Sequence, residues 1–124
     1  MLKNNDEVNN MKNTISVRMH VSLEDIESLL YSAANGSEYW CDNAVELGYE
    51  TKVRRVMNDP RGLIMIDKEE KRKYRLDAEA LHRGLKVMAK HYKSDFADII
   101  NETADMNTSD VFLQCALFGK VIYG

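Results

Sequence analysis

Residues 63–76 read Leu63-Ile64-Met65-Ile66-Asp67-Lys68-Glu69-Glu70-Lys71-Arg72-Lys73-Tyr74-Arg75-Leu76, and this stretch decides the fold class. Four consecutive apolar residues at 63–66 suit a strand covered on both faces. A polar turn follows at 67–71, and alternation of polar and apolar residues resumes at 72–76, so the pair predicts an antiparallel hairpin. Helical spacing on both sides of the hairpin then makes the domain α+β.

Downstream, Asp77 is placed to cap a helix whose apolar stripe is Leu81, Leu85, Met88 and Tyr92. Gly84 weakens that helix by ~1 kcal/mol relative to alanine and lets another backbone approach closely. Ser94 starts a short helix carrying Phe96, Ile99 and Ile100. Residues 101–109 lack either period and read as a loop. Asp110 or a neighbouring hydroxyl caps a last helix over 111–118, apolar except for Gln114 and stopped by Gly119. Upstream, residues 37–60 read as two irregular strands around Tyr39-Trp40-Cys41 and Ala44-Val45. Before them, Ser22-x-x-Asp25 opens an amphipathic helix with Leu23, Ile26, Leu29, Leu30 and Ala33, ended by a left-handed stop at Asn35-Gly36. Residues 14–21 alternate strictly, with Ile15, Val17, Met19 and Val21 on one face, which predicts a first strand. Residues 1–11 read as a frayed polar tail, leaving 12–124 as a single domain. The expected architecture is a small antiparallel sheet of about four strands packed on two or three helices.

The chain has 124 residues, 44% hydrophobic and 30% charged, enough for one modest core. Seventeen basic against 20 acidic residues give a net charge of −3, which argues against general nucleic-acid binding. No apolar run approaches the ~20 residues that cross a bilayer, and the polar N-terminus lacks the apolar stretch of a secretory signal, so a soluble intracellular protein is expected. Cys41 and Cys115 are too few for a disulfide scaffold and are expected to be reduced. His82 and His91 lie nine apart on one predicted helix, whereas three or four residues would bring two imidazoles to one metal. With neither a nucleophile elbow nor a phosphate-binding loop motif, neither catalytic residues, a metal nor a cofactor is expected. Glu24, Asp25, Glu27 and Glu79 are accounted for by helix dipoles.

Three features point to ligand binding. Tyr39 and Trp40, just after a helix stop, can form an aromatic platform for a base. Arg54, Arg55 and Arg61 are forked donors suited to phosphate in an otherwise acidic chain. Asn107, Thr108, Asp110 and Gln114 sit at the start of the last helix, where free N–H groups favour an anion and Asp110 can accept from a ribose hydroxyl or base amine. That helix is apolar nearly all round, and a partner subunit is a natural cover, so a homo-oligomer is expected.

At Ser37-Glu38-Tyr39-Trp40-Cys41, Phe96-Ala97-Asp98 and Asp110-Val111-Phe112-Leu113-Gln114-Cys115-Ala116-Leu117-Phe118-Gly119-Lys120-Val121-Ile122-Tyr123-Gly124, the chain resembles a family of small proteins of tailed phages and prophages. The resemblance runs from Ile15 onward. It implies phage origin and a similarity to oligomeric sponge proteins that trap the nucleotide signals of Thoeris or cyclic-oligonucleotide defence systems. The function it suggests is non-enzymatic sequestration of a cyclic oligonucleotide or cyclic ADP-ribose derivative in the cytoplasm of the infected host. The alternative is a protein-binding inhibitor of a host defence complex, anti-CRISPR-like, or another phage accessory protein.

Overall fold

The computed structural model describes residues 13–124, so the tail expected at residues 1–11 lies outside the described residues. The first helix starts as its sequence indicates: Ser22 Oγ accepts from the Asp25 N–H at 3.1 Å. That helix, α1 (Leu23–Gly36), buries Ile26, Leu29, Leu30, Ala33 and Ala34. Gly36 does not take the left-handed conformation expected of it; the glycines with positive φ are Gly62, Gly119 and Gly124. Its lack of a side chain serves packing instead, since a Cβ there would lie 2.6 Å from the Met106 carbonyl oxygen.

Residues 37–60 form no strand. They hold a 3-10 turn (Ala44–Gly48) and α2 (Glu50–Asn58), with only one isolated bridge, Cys41 opposite Asp67. Val53 and Val56, three apart, bury one face of α2, and the intervening Arg54 and Arg55 keep the other wet. Helical spacing overrides the β-propensity of the valines here.

The hairpin forms as expected. β1 (Leu63–Ile66) pairs antiparallel with β2 (Lys73–Leu76), Leu63 opposite Leu76 and Ile66 opposite Lys73. Asp67 organises the loop: its N–H donates to Arg72 O at 2.9 Å and its carboxylate accepts from Glu69 N at 3.0 Å. Among the described residues the sheet therefore has two strands, not about four. The alternating segment at 14–21 is neither helix nor strand, and among the described residues no strand pairs with residues 15–21. Ile15, Val17 and Met19 are accordingly exposed, at 91%, 78% and 53%.

Among the described residues there are five α-helices, rather than two or three. Asp77 caps α3 (Ala78–His91), accepting from Ala80 N at 2.9 Å. A short α4 (Lys93–Ile100) follows, and then α5 (Met106–Phe118), which begins inside the expected loop. Its cap is Asp105, not Asp110, in a reciprocal capping box with Thr108. Gly119 ends it in the left-handed conformation, as expected. None of the described helices is long and apolar enough to cross a membrane.

Helix α5 lies against both α1 and α3 and is buried from Thr108 to Leu117. The chain itself thus supplies the cover that the sequence suggested a second subunit would give. Helix α3 approaches α5 closely at Gly84, where a Cβ would sit 3.0 Å from Ala116 Cβ and 3.1 Å from its Cα and N. Beside it the Arg83 guanidinium donates two hydrogen bonds to Ala116 O, at 2.9 and 2.6 Å. Gly84→Leu is expected to lower the unfolding free energy by ~1–3 kcal/mol through overpacking, although leucine favours helix by nearly 1 kcal/mol over glycine. Urea denaturation measures it; an unchanged or higher midpoint would mean that α3 and α5 separate freely.

Candidate functional site

Two places hold the candidate residues and the chemistry around them. The first is built on the carboxylate of Asp110, buried in α5. Its Oδ1 accepts from Ser37 Oγ at 2.8 Å and Trp40 Nε1 at 2.6 Å, and its Oδ2 from Tyr39 OH at 2.5 Å and Gln114 Nε2 at 3.1 Å. One turn along, Gln114 clamps the last residues of the sequence. Its Oε1 accepts from Ile122 N and Tyr123 N, both at 2.8 Å, while its Nε2 donates to Tyr123 O at 3.0 Å. Tyr123 OH in turn donates to both oxygens of buried Asp67, at 2.9 and 2.8 Å. Burial, and then the carboxylate each phenol faces, push Tyr39 and Tyr123 up to about 12.

Tyr39 and Trp40 from one expected feature and Asp110 and Gln114 from another thus come together, but their polar atoms are occupied by one another. Trp40 is 1% exposed, with the Tyr123 ring stacked at 5.8 Å and the Phe118 ring tilted at 5.1 Å. No face of the indole is left for a base. The start of α5 is similarly filled from within: Asp105 Oδ1 accepts from Thr108 N at 2.9 Å, a carboxylate standing where an external anion would sit. Asn107 is exposed beside it and Thr108 is buried.

The arginines lie elsewhere and are paired. Arg54 binds Glu50 at 2.5 Å, and Arg61 and Arg55 share Asp59, at 2.8 and 3.9 Å. The Arg61 hydrogen bonds hold Asp59 down at about 2. Arg54 and Arg61 are largely exposed, so these pairs add little to stability.

The second place is an open groove of about 1380 Å³ between residues 16–21, the first turn of α1, and helices α3 and α4. Its floor is apolar, formed by Leu23, Ile26, Leu81, Leu85, Phe96 and Ile100, and its other lining groups include Arg18, His20, His82, Lys86 and Lys93. Among the described residues no carboxylate lines it. None of the ion pairs among the described residues involves these five basic or imidazole groups. A smaller cavity of about 200 Å³ between α1 and α4 is lined instead by Asp25 and Glu102 with three serines. The groove residues escaped the sequence reading because they come from three separated segments. The legible signal was Lys86, which has no acid three or four residues away on its helix to pair with.

Neither thiol offers a nucleophile. Burial pushes Cys41 up to about 11 and Cys115 up to about 12. Among the described residues no three His, Cys, Asp or Glu side chains gather as metal ligands. No protein-family model, curated protein or solved structure matches the chain.

Proposed function

We propose that the protein binds a small phosphorylated signal without cleaving it, in the groove bounded by residues 16–21, α3 and α4. One observation carries this reading: the groove collects Arg18, His20, His82, Lys86 and Lys93 with no carboxylate among its described lining residues, on a chain whose net charge is −3. A local positive field in an acidic protein draws anions and repels nothing that would neutralise it. The apolar floor, with Phe96 in it, suits the bases or sugars of a nucleotide while the cations hold its phosphates. Together with the phage resemblance, this supports capture of a cyclic oligonucleotide or cyclic ADP-ribose derivative in the cytoplasm of an infected host. The Asp110 cluster then serves as the scaffold behind the groove rather than as its lining.

Calorimetric titration against a panel of cyclic di- and trinucleotides and cyclic ADP-ribose isomers tests it. At least one is expected to bind and to be recovered unchanged. Reversing Lys86 and Lys93 to glutamate should weaken that binding by about 100-fold and flatten its salt dependence. Absence of heat with every member, or affinity untouched by the reversals, would overturn the proposal.

A further inference from the structure

We infer that residues 15–19 form an antiparallel ribbon with the same residues of a second copy, across a twofold axis at Val17. This segment has the alternation of a strand, yet its apolar face is the most exposed in the described chain, with Ile15 at 91%, Val17 at 78% and Met19 at 53%. Among the described residues, 15–19 take part in no backbone ladder and no side-chain hydrogen bond, which is the condition of an edge open to pairing.

The register follows from charge and pleat. Directly opposed residues share a face, so apolar must meet apolar, which allows an axis at Ser16, Val17, Arg18 or Met19. The Ser16 axis is the poorest in apolar pairs, because it opposes Ile15 to Val17 of the partner subunit but Met19 to Asn13 of the partner subunit. An axis at Arg18 opposes that arginine to Arg18 of the partner subunit, and one at Met19 opposes it to His20 of the partner subunit. An axis at Val17 opposes Ile15 to Met19 of the partner subunit and Val17 to its counterpart, and sets Arg18 against Ser16 of the partner subunit. No like charges meet.

A two-stranded ribbon alone is marginal and needs a surface to lie on. Here the adjoining groove supplies one, with exposed Leu23 (66%) beside Ile26, Leu81 and Phe96. Segment and groove lining together comprise 21 residues, the size of one side of a standard stable interface. Pairing is isologous, so it closes as a dimer. The ribbon takes the apolar floor assigned above to a nucleotide, so dimer and nucleotide compete for the groove, and the dimer stands independently of the nucleotide reading.

Light scattering and oxidative cross-linking of the full chain test this. The wild type is expected to be a dimer at micromolar concentration. Val17→Lys should raise its dissociation constant by about 100-fold with helical circular dichroism unchanged, because the side chain is exposed in the single chain. Val17→Cys should form an intermolecular disulfide at least about tenfold faster than Arg18→Cys, since only position 17 faces itself at a bridgeable distance. A wild-type monomer, a dimer that persists in Val17→Lys, or Arg18→Cys linking as fast as Val17→Cys would each overturn the inference. A monomer that still binds nucleotide leaves the proposed function standing. Loss of nucleotide binding on cross-linking Val17→Cys is the competition that the shared floor predicts, and a chain that binds none before cross-linking removes only the proposed function.

Discussion

Asp110→Ala is expected to destabilise the fold by ~3–5 kcal/mol, because the substitution strands four donors that converge on one buried carboxylate. Ser37, Tyr39, Trp40 and Gln114 all point at it, and of these Gln114 alone keeps a second acceptor, Tyr123 O at 3.0 Å. The cost is a large part of the ~5–15 kcal/mol that holds a domain of this kind together. Guanidinium denaturation gives the value. A variant within ~1 kcal/mol of wild type would mean that water replaces the carboxylate, and that the cluster is open to ligands after all. Asp110→Asn should fall between the two, since it keeps one acceptor and turns the other oxygen into a donor facing donors.

Trp40→Ala should cost a similar ~3–5 kcal/mol, for a different reason. The indole fills the space between Phe118 and Tyr123 as well as donating to Asp110, so its removal leaves both a cavity and a carboxylate short of a donor. Trp40→Phe retains most of the volume and loses the bond alone, for an expected ~1–3 kcal/mol. Because Trp40 and Asp110 touch, the double variant should be less damaging than the two single losses added. Additivity would show that they act independently. A folded Trp40→Ala protein whose only defect is ligand affinity would return the tryptophan to the role of a base platform.

Much of this was legible in the sequence. The hairpin, the helices after Ser22 and Asp77, the close approach at Gly84 and the stop at Gly119 all rest on short-range rules, and all are present. Two failures have opposite physical causes. At residues 50–58, Val53 and Val56 carry β-propensity, but burial at helical spacing decides the structure. At residues 14–21 the strand pattern is real, but a strand is a relation between two segments, and one chain provides only one of them. The Asp110 cluster was half-read. Asp110 and Gln114 were placed on one face from their spacing of four, yet no local rule tells that Ser37, Tyr39 and Trp40 arrive from the far side of the sequence to satisfy them. Short polar side chains on an otherwise apolar helix looked like a ligand's partners and proved to be each other's.

That long separation has a kinetic consequence. The bonds from Ser37, Tyr39 and Trp40 to Asp110 span 73, 71 and 70 residues, so each closes a loop that includes the hairpin and three helices. Loop-closure entropy must be met before such contacts return anything, which places them late on the folding route, after the local helices and the hairpin. Interactions made after the transition state act on the rate of unfolding and leave the rate of folding nearly alone. The carboxylate at Asp110 is therefore less a guide to the fold than a latch on it: it lengthens the lifetime of the native state once the chain has already found it.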